Sequence, residues 1–377
     1  MKFVVSSTDL LRKLQSISKV VNPKNTLPIL DNFLFELQEE KLVITASDLE
    51  TTLVTSLELD NVEGGGKFAL EAKRLIDILK EFSDQPLSFD VNEETMDVDI
   101  LSENGKFSVV GIDGEDFPEP AELEEDKSTA FKITGRTLHR GIIKTIFATA
   151  DDELRPVMNG IFMELKEDSL TFVASDSHKL VRYRREDVKA GKEASFILPK
   201  KPAEILKSTL VKDDEDVTIE FDEKNAIFEF ANFKIVCRLI EGDYPNYESV
   251  IPINNENKMT VDRVEFYNTI KRVAIFANEA SRLVKFKITP TQVTVSAQDI
   301  DFSISAYERI TCQYEGEDMT IGFKASFFQD VLNNLSAPDI VVEMSEPSKA
   351  TLVFPIEKSD EYEDELMLIM PMMLDSE

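Results

Sequence analysis

Along most of this chain apolar and polar residues alternate in short stretches, and at six places the alternation gives way to helical spacing. Leu10, Leu14, Ile17 and Val21 recur at steps of three and four, so they share one face of a helix over residues 8–21. Thr8 or Asp9 suits the N-cap of that helix, because a short oxygen-bearing side chain can accept a free amide of the first turn. The same spacing predicts helices over 72–83, 135–149, 200–209, 262–277 and 324–335. Between the first two, Phe33, Phe35 and Leu37 alternate with polar residues, as do Leu42, Ile44 and Ala46, and both stretches read as half-buried strands. Gly64–Gly66 predicts a loop ahead of a strand at 67–70, and strands near 87–91, 96–101 and 106–111 follow the second helix. The apolar run LMLIMPMML at 366–374 predicts a C-terminal strand.

This pattern is written three times. LVITASDLE (42–50) returns as LTFVASDSH (170–178) and as VTVSAQDID (293–301), anchored on Asp48, Asp176 and Asp299. Leu10, Leu138 and Phe266 stand at one interval of 128, and Leu14, Ile142 and Ile270 repeat it. Solenoid repeats run about 20–50 residues. The period here therefore marks a whole domain copied three times, with expected limits of 1–126, 127–254 and 255–377. The acidic run Glu122–Asp126 and the proline-bearing EGDYPNYESVIP (241–252) suit connectors. Each copy reads as α+β, two helices packed on a mostly antiparallel sheet. Three such copies in line leave sheet edges at both ends, and edges are normally paired or protected. A head-to-tail dimer would close six similar units into a ring.

Charge complicates the choice of partner. The net charge of −30 argues against nucleic acid, since affinity for phosphate comes from Lys and Arg. The six helical stretches, however, hold 16 Lys and Arg against 7 Asp and Glu, a surplus of nine that leaves −39 on the rest of the chain. Arg136, Arg140 and Lys144 fall at steps of four in the third helix and predict a positive stripe opposite Leu138, Ile142 and Ile146. Such segregation would let one surface meet phosphates, while Lys and Arg are also ordinary helix formers. Both readings stay open on composition alone. The two cysteines, Cys237 and Cys312, sit in strand-like patterns and predict buried free thiols. No run of 18 apolar residues occurs, and the first residues, MKFVVSSTDLLRKL, lack the apolar core of a signal peptide. A cytoplasmic protein with no membrane partner is expected.

The catalytic inventory is poor. There are two histidines, His139 and His178, and no tryptophan. No phosphate-binding, zinc-protease, nucleophile-elbow or CxxC motif is found. The clusters Asp151–Glu153 and Asp213–Asp216 could in principle hold a metal, as a carboxylate-dependent hydrolase or transferase would. Adjacent carboxylates, however, usually coat a loop rather than converge on an ion. No cofactor, no metal and no catalytic residue is expected. A scaffold that never meets DNA is the other alternative.

Five strings make a resemblance: NTLPIL (25–30), ELRPVMNGI (153–161), VASDSHKL (173–180), GDYPNYESVIP (242–252) and LIMPMML (368–374). In this order, on a triplicated chain, they resemble the bacterial DNA polymerase III β subunits, the sliding clamps. The resemblance implies a head-to-tail homodimeric ring, with helices lining a hole that holds duplex DNA without reading its sequence. It also implies a replicative polymerase catalytic subunit, a clamp loader complex and other clamp-binding polymerases and repair proteins as partners. By motif, the DNA-facing side chains would be Lys24, Lys73, Arg74, Arg155, Lys200 and Lys201. Arg136, Arg140 and Lys144 are added by the helix stripe.

A peptide pocket is implied between the second and third copies. Its matched positions are Met158, Ser175, Ser177, His178, Leu180, Pro245 and Val250, joined by Leu368, Met370, Pro371 and Met372 near the C-terminus. Methionine-rich, apolar surroundings suit extended peptides with hydrophobic anchors. Ser177 stands where the family usually has glycine, and Met373 where many members have arginine; Asp375–Glu377 extend past the usual end. At the dimer contact the resemblance implies Phe107 and Val109 meeting Ile275 and Phe276.

Overall fold

A computed structural model describes residues 1–22, 25, 27–189, 191–210 and 215–374, apart from the side chain of residue 125. Lys24, the first two residues of the 213–216 cluster and the tail 375–377 lie outside the described residues. Among the described residues there are six α-helices: α1 (Ser7–Ile17), α2 (Ala72–Lys80), α3 (Gly135–Ile146), α4 (Lys200–Thr209), α5 (Arg263–Val273) and α6 (Ala325–Asn334). All six fall where helical spacing places them, each ending earlier than, or level with, the sequence expectation. The cap of α1 is Ser6, whose side chain accepts from the Asp9 amide, rather than Thr8 or Asp9. Since α1 stops at Ile17, Val20 rather than Val21 turns into the core.

The residues repeated at the 128 interval are core residues in every copy. Leu10, Leu14, Leu138, Ile142, Phe266 and Ile270 are all fully buried. The repetition is therefore one packing solution used three times.

The chain falls into two compact units, Met1–Leu138 with Glu204–Leu239, and His139–Ala203 with Ile240–Glu377. The first unit holds a five-stranded sheet in the order Val62–Glu63, Lys2–Ser6, Pro86–Val91, Asp97–Leu101, Lys106–Val110. Its nine-stranded sheet runs from Ile112–Asp113 through Thr51–Glu58 and Phe233–Arg238 to Thr129–Thr134. Phe233–Arg238 pairs antiparallel with Thr51–Glu58, Phe233 opposite Thr55 and Cys237 opposite Thr51. Strands from the first and second copies thus form one continuous sheet. Buried hydrogen bonds replace what would otherwise be two exposed edges.

The second unit repeats this device. Lys179–Arg185, from the second copy, pairs antiparallel with the C-terminal strand Glu363–Ile369, from the third. The expected terminal strand forms but begins earlier and stops at Ile369; Pro371 cannot donate to the ladder. A four-stranded sheet in the order Ile304–Thr311, Gln292–Asp299, Leu283–Thr289, Met319–Lys324 packs with α5 and α6 around Phe266, Phe286, Phe323 and Phe328. The four rings sit 4.7–5.7 Å apart in tilted or edge-to-face pairs.

Both cysteines are free and buried. Cys237 lies in its strand, whereas Cys312 sits in the one-residue break between Ile304–Thr311 and Gln313–Glu315. No helix of the described residues is long and apolar enough to cross a membrane.

Candidate functional site

The aspartates that anchor the sequence repeat build a turn. Asp48 Oδ1 accepts the amides of Glu50 and Thr51, at 3.1 and 2.7 Å. Asp176 Oδ1 accepts those of His178 and Lys179, at 2.9 and 2.8 Å. Asp299 Oδ1 accepts those of Asp301 and Phe302, at 2.9 and 3.3 Å. A short carboxylate that bonds its own backbone two and three residues on is a local turn closure. In the first two copies the next residue is left-handed, Leu49 at φ +77° and Ser177 at φ +75°. That backbone explains why glycine suits the position of Ser177.

Below the Asp176 turn lies an apolar floor. Leu180 and Leu368 face each other across the strand pair and are buried in one cluster with Val173, Tyr247 and Leu352. Phe162 stacks on Tyr244 at 4.8 Å, and both pack on that cluster. Burial raises the Tyr244 and Tyr247 hydroxyls above their ordinary range, and for Tyr247 the Glu164 carboxylate adds to it at 2.8 Å. Both phenols therefore stay neutral, and Tyr247 donates to Glu164. Pro245 and Val250 are exposed on the segment carrying these tyrosines. Met158 is buried, with its sulfur 3.6 Å from the Ser177 oxygen. Ser175, also buried, accepts the Ser177 amide and donates to the Lys179 carbonyl.

The chain's end closes the other side. The Met370 amide donates to the His178 carbonyl at 2.8 Å, and the Met372 amide to the Gly322 carbonyl at 2.8 Å. Met370 is thereby tied to the Asp176 turn and Met372 to the Met319–Lys324 strand, where Leu374 packs on Gly322. The pocket residues expected from the sequence thus divide into a buried floor and an exposed rim.

Sequence reasoning missed Phe327. Its ring stacks on His178 at 5.4 Å and carries Lys179 and Lys324 over its face at 5.1 and 4.9 Å. Lys179 is buried and bridges Asp176 to Asp330, 3.1 Å from each. The sequence signal was a phenylalanine one residue off the apolar stripe of α6, whose core face is Ala325, Phe328, Val331 and Leu332.

The expected cations meet different fates. Lys73 and Arg74 are exposed on α2, and Arg74 pairs with Glu71 at 3.1 Å. Arg136 and Lys200 are exposed and Lys201 half-buried, at the starts of α3 and α4. Arg155 is tied to Asp152, whose carboxyl it holds below the usual range. The stripe on α3 needs correction. Lys144 is buried, with its ammonium 3.0 Å from Glu365 and donating to the Asn334 carbonyl at 2.8 Å. Arg140 reaches the buried Glu363 at 2.6 Å. Acids on the C-terminal strand, far away in sequence, turn two of the three charges inward.

Two sheet edges carry apolar side chains. In the first unit, Lys106–Val110 ends the five-stranded sheet, and Phe107 lines a cleft of about 550 Å³ with Phe82, Ile78, Lys73 and Arg74. Val110 is the exposed valine of this edge and Val109 is half-buried. In the second unit, Ile304–Thr311 ends the four-stranded sheet. Tyr307 on it is 67% exposed, and Ile275 is 74% exposed in the 3-10 turn Ala274–Phe276 beside it. Among the described residues no group of His, Cys, Asp or Glu converges as metal ligands would.

Three family models match the chain in order. The N-terminal domain of the DNA polymerase III beta subunit matches residues 1–121, its central domain 132–246 and its C-terminal domain 248–373. The chain belongs to the DNA polymerase III beta subunit family. It is 26% identical to the beta sliding clamp of Staphylococcus aureus (strain Mu50 / ATCC 700699) over 378 residues, 98% of each chain. It is 26% identical to that of Vibrio cholerae over 374 residues, 99% of this chain and 100% of the relative. Among solved structures it is similar to a DnaN sliding clamp from Pseudomonas aeruginosa bound to griselimycin, with a TM-score of 0.93, 26% identity, and 99% and 100% of the two chains covered. The beta subunit of Thermotoga maritima gives a TM-score of 0.89 at 27% identity, covering 99% of each. Sliding clamps are non-catalytic processivity factors of DNA replication.

Proposed function

We propose that two copies of this chain close head to tail into a ring around duplex DNA. The ring tethers the replicative polymerase's catalytic subunit, and the groove around Leu180 and Leu368 docks peptides of that polymerase, the clamp loader and other clamp-binding polymerases and repair proteins. The observation that carries this reading is the fold, shared over the whole chain with solved sliding clamps. Each protomer contributes three clamp domains, 1–126, 127–254 and 255–377, and works in the cytoplasm. The two apolar edges support the closure. Phe107, with Val109 behind it, meets Ile275 and Phe276 of the other copy, which removes exposed apolar surface at both ends. Lys24, Lys73, Arg74, Arg136, Lys200 and Lys201 face phosphates, without base readout. A topological hold needs little affinity, so a chain with net charge −30 can serve DNA.

The test is retention after loader-assisted assembly on nicked circular DNA, compared with the same DNA linearised. Protein that stays on circles at high salt and runs off linear ends is held topologically. Equal release from both forms as salt rises, with an established clamp retained on circles in the same assay, would refute the ring.

A further inference from the structure

Ser177 does something that its backbone conformation does not require. A residue at φ +75° is strained by its Cβ, and the turn is closed by Asp176 and Ser175 whatever stands there. Its hydroxyl nevertheless takes a hydrogen bond from Arg155 Nη1 and rests on the Met158 sulfur. The other side of the guanidinium is fixed by Asp152, with Nε donating to Oδ2 at 2.9 Å and Nη2 2.8 Å from the same oxygen. Asp152 Oδ1 is spent on its own loop, accepting the amides of Leu154 and Arg155. The anion of the pair is thus turned inward, and the cation is the exposed partner, 52% against 25%.

Two donors are left open at the rim of the groove. The Ser177 hydroxyl accepts from a cation, and its own proton has only a thioether to reach, a weak acceptor. Arg155 keeps outward N–H groups beyond those given to Ser177 and Asp152. An oriented hydroxyl beside an oriented guanidinium matches a carboxylate, whose two oxygens can take both.

We propose that Ser177 is a specificity-determining residue: it locks Arg155 at the mouth of the groove so that the pair selects peptides carrying an acidic side chain next to their apolar anchor. This rests on the reading of the groove as a peptide site. With serine the guanidinium is held on both sides; a glycine would leave it held by Asp152 alone.

The experiment is fluorescence anisotropy with fluorescein-labelled hexapeptides that carry two adjacent leucines, each other position set in turn to Ala, Asp, Asn or Lys. The wild-type chain should prefer Asp over Asn at one position by about tenfold, the worth of one charge-assisted hydrogen bond. In Ser177→Ala and Ser177→Gly that ratio should fall below about threefold, and in Arg155→Gln to near one. Far-UV circular dichroism shows that each variant is folded, and the Asp-to-Asn ratio is taken within each protein, so a change in its affinity for the all-Ala peptide does not enter. A wild-type ratio kept in both Ser177 variants, or no Asp preference at any position, overturns the proposal while leaving the groove intact. Failure of every peptide to bind the wild-type chain overturns the groove reading itself, and the selectivity with it.

Discussion

Lys144→Met tests whether the buried pair on α3 is structural. The methionine keeps the apolar stem and removes the ammonium, which leaves the Glu365 carboxylate facing a low-dielectric interior. The Lys144 and Glu365 side chains are 6% and 7% exposed, so water does little to replace the lost partner. Removing one member of a buried pair costs about 3–5 kcal/mol. Here the charge penalty has a ceiling, because Glu365 can take up a proton instead. Protonating a carboxyl of ordinary pKa at pH 7 costs about 3.7 kcal/mol, and at pH 5 about 1 kcal/mol. Loss of the bond to the Asn334 carbonyl adds about 1 kcal/mol at either pH.

The expected destabilisation is therefore roughly 4–5 kcal/mol at pH 7 and about 2 kcal/mol at pH 5. The sign follows from linkage. Burial raises the Glu365 carboxyl more than Lys144 lowers it, so the native state binds this proton more readily than the unfolded chain does. Its contribution is greatest at low pH and is lost as pH rises above the ordinary carboxylate range. Removing Lys144 steepens the same dependence. Urea unfolding by far-UV circular dichroism at both pH values measures the change, and native-state hydrogen exchange of Glu363–Ile369 locates it. The double variant Lys144→Met with Glu365→Gln should recover about 2 kcal/mol or more at pH 7. A loss below about 1.5 kcal/mol at pH 7, or an equal loss at both pH values, would refute the reasoning.

Three further outcomes follow from packing and burial. Gly141→Ala should destabilise by about 1–3 kcal/mol, although alanine is the better helix former, because its Cβ would sit 2.5 Å from the Phe172 ring. A rise in urea midpoint would show that the ring yields freely. Cys237 should resist iodoacetamide in the native protein at pH 8 and react in urea, since burial pushes its thiol up to about 12; labelling of the native protein read by mass spectrometry would contradict this. On the proposed head-to-tail closure, Phe107→Asp should halve the mass seen by sedimentation velocity, because a carboxylate cannot be buried unpaired at that edge. An unchanged dimer would remove Phe107 from the contact.

Where the sequence could be read, the signal was local and periodic. Leu10, Leu138 and Phe266 announced both the helices and their buried faces, because a core position repeats at 3.6 residues whatever the partner. Arg136, Arg140 and Lys144 were equally periodic and equally local, yet two of them point inward. Nothing in 135–146 reveals that Glu363 and Glu365 arrive from the C-terminal strand, more than 200 residues on. The same limit hid Phe327 and Asp330, whose partners His178 and Lys179 lie in another copy. LIMPMML and VASDSHKL are contiguous strings, and the fold brings them together, Leu180 opposite Leu368 and the Met370 amide on the His178 carbonyl. Motif matching did not find that the guanidinium of Arg155, placed by motif among the DNA-facing groups, is tied to Ser177.

The three aspartate turns allow what folds the chain to be separated from the docking role proposed for the second of them. Asp48, Asp176 and Asp299 make the same two backbone hydrogen bonds, and an alanine at any of them leaves two amides without that acceptor. Each substitution should cost about 1–3 kcal/mol, with Asp299→Ala at the upper end because its carboxylate is 3% exposed and the others reach water more easily. The second turn carries exposed Ser177 and His178 beside the buried Leu180 and Leu368, and its carboxylate also holds a buried lysine, Lys179. Asp176→Ala should therefore weaken peptide binding by more than tenfold, while Asp48→Ala and Asp299→Ala leave it within about twofold once the protein is folded. Anisotropy with the two-leucine hexapeptide at a temperature well below each variant's unfolding midpoint separates the effects. Equal loss of binding in all three would mean that the turns act through overall stability, and that the second has no part of its own in docking.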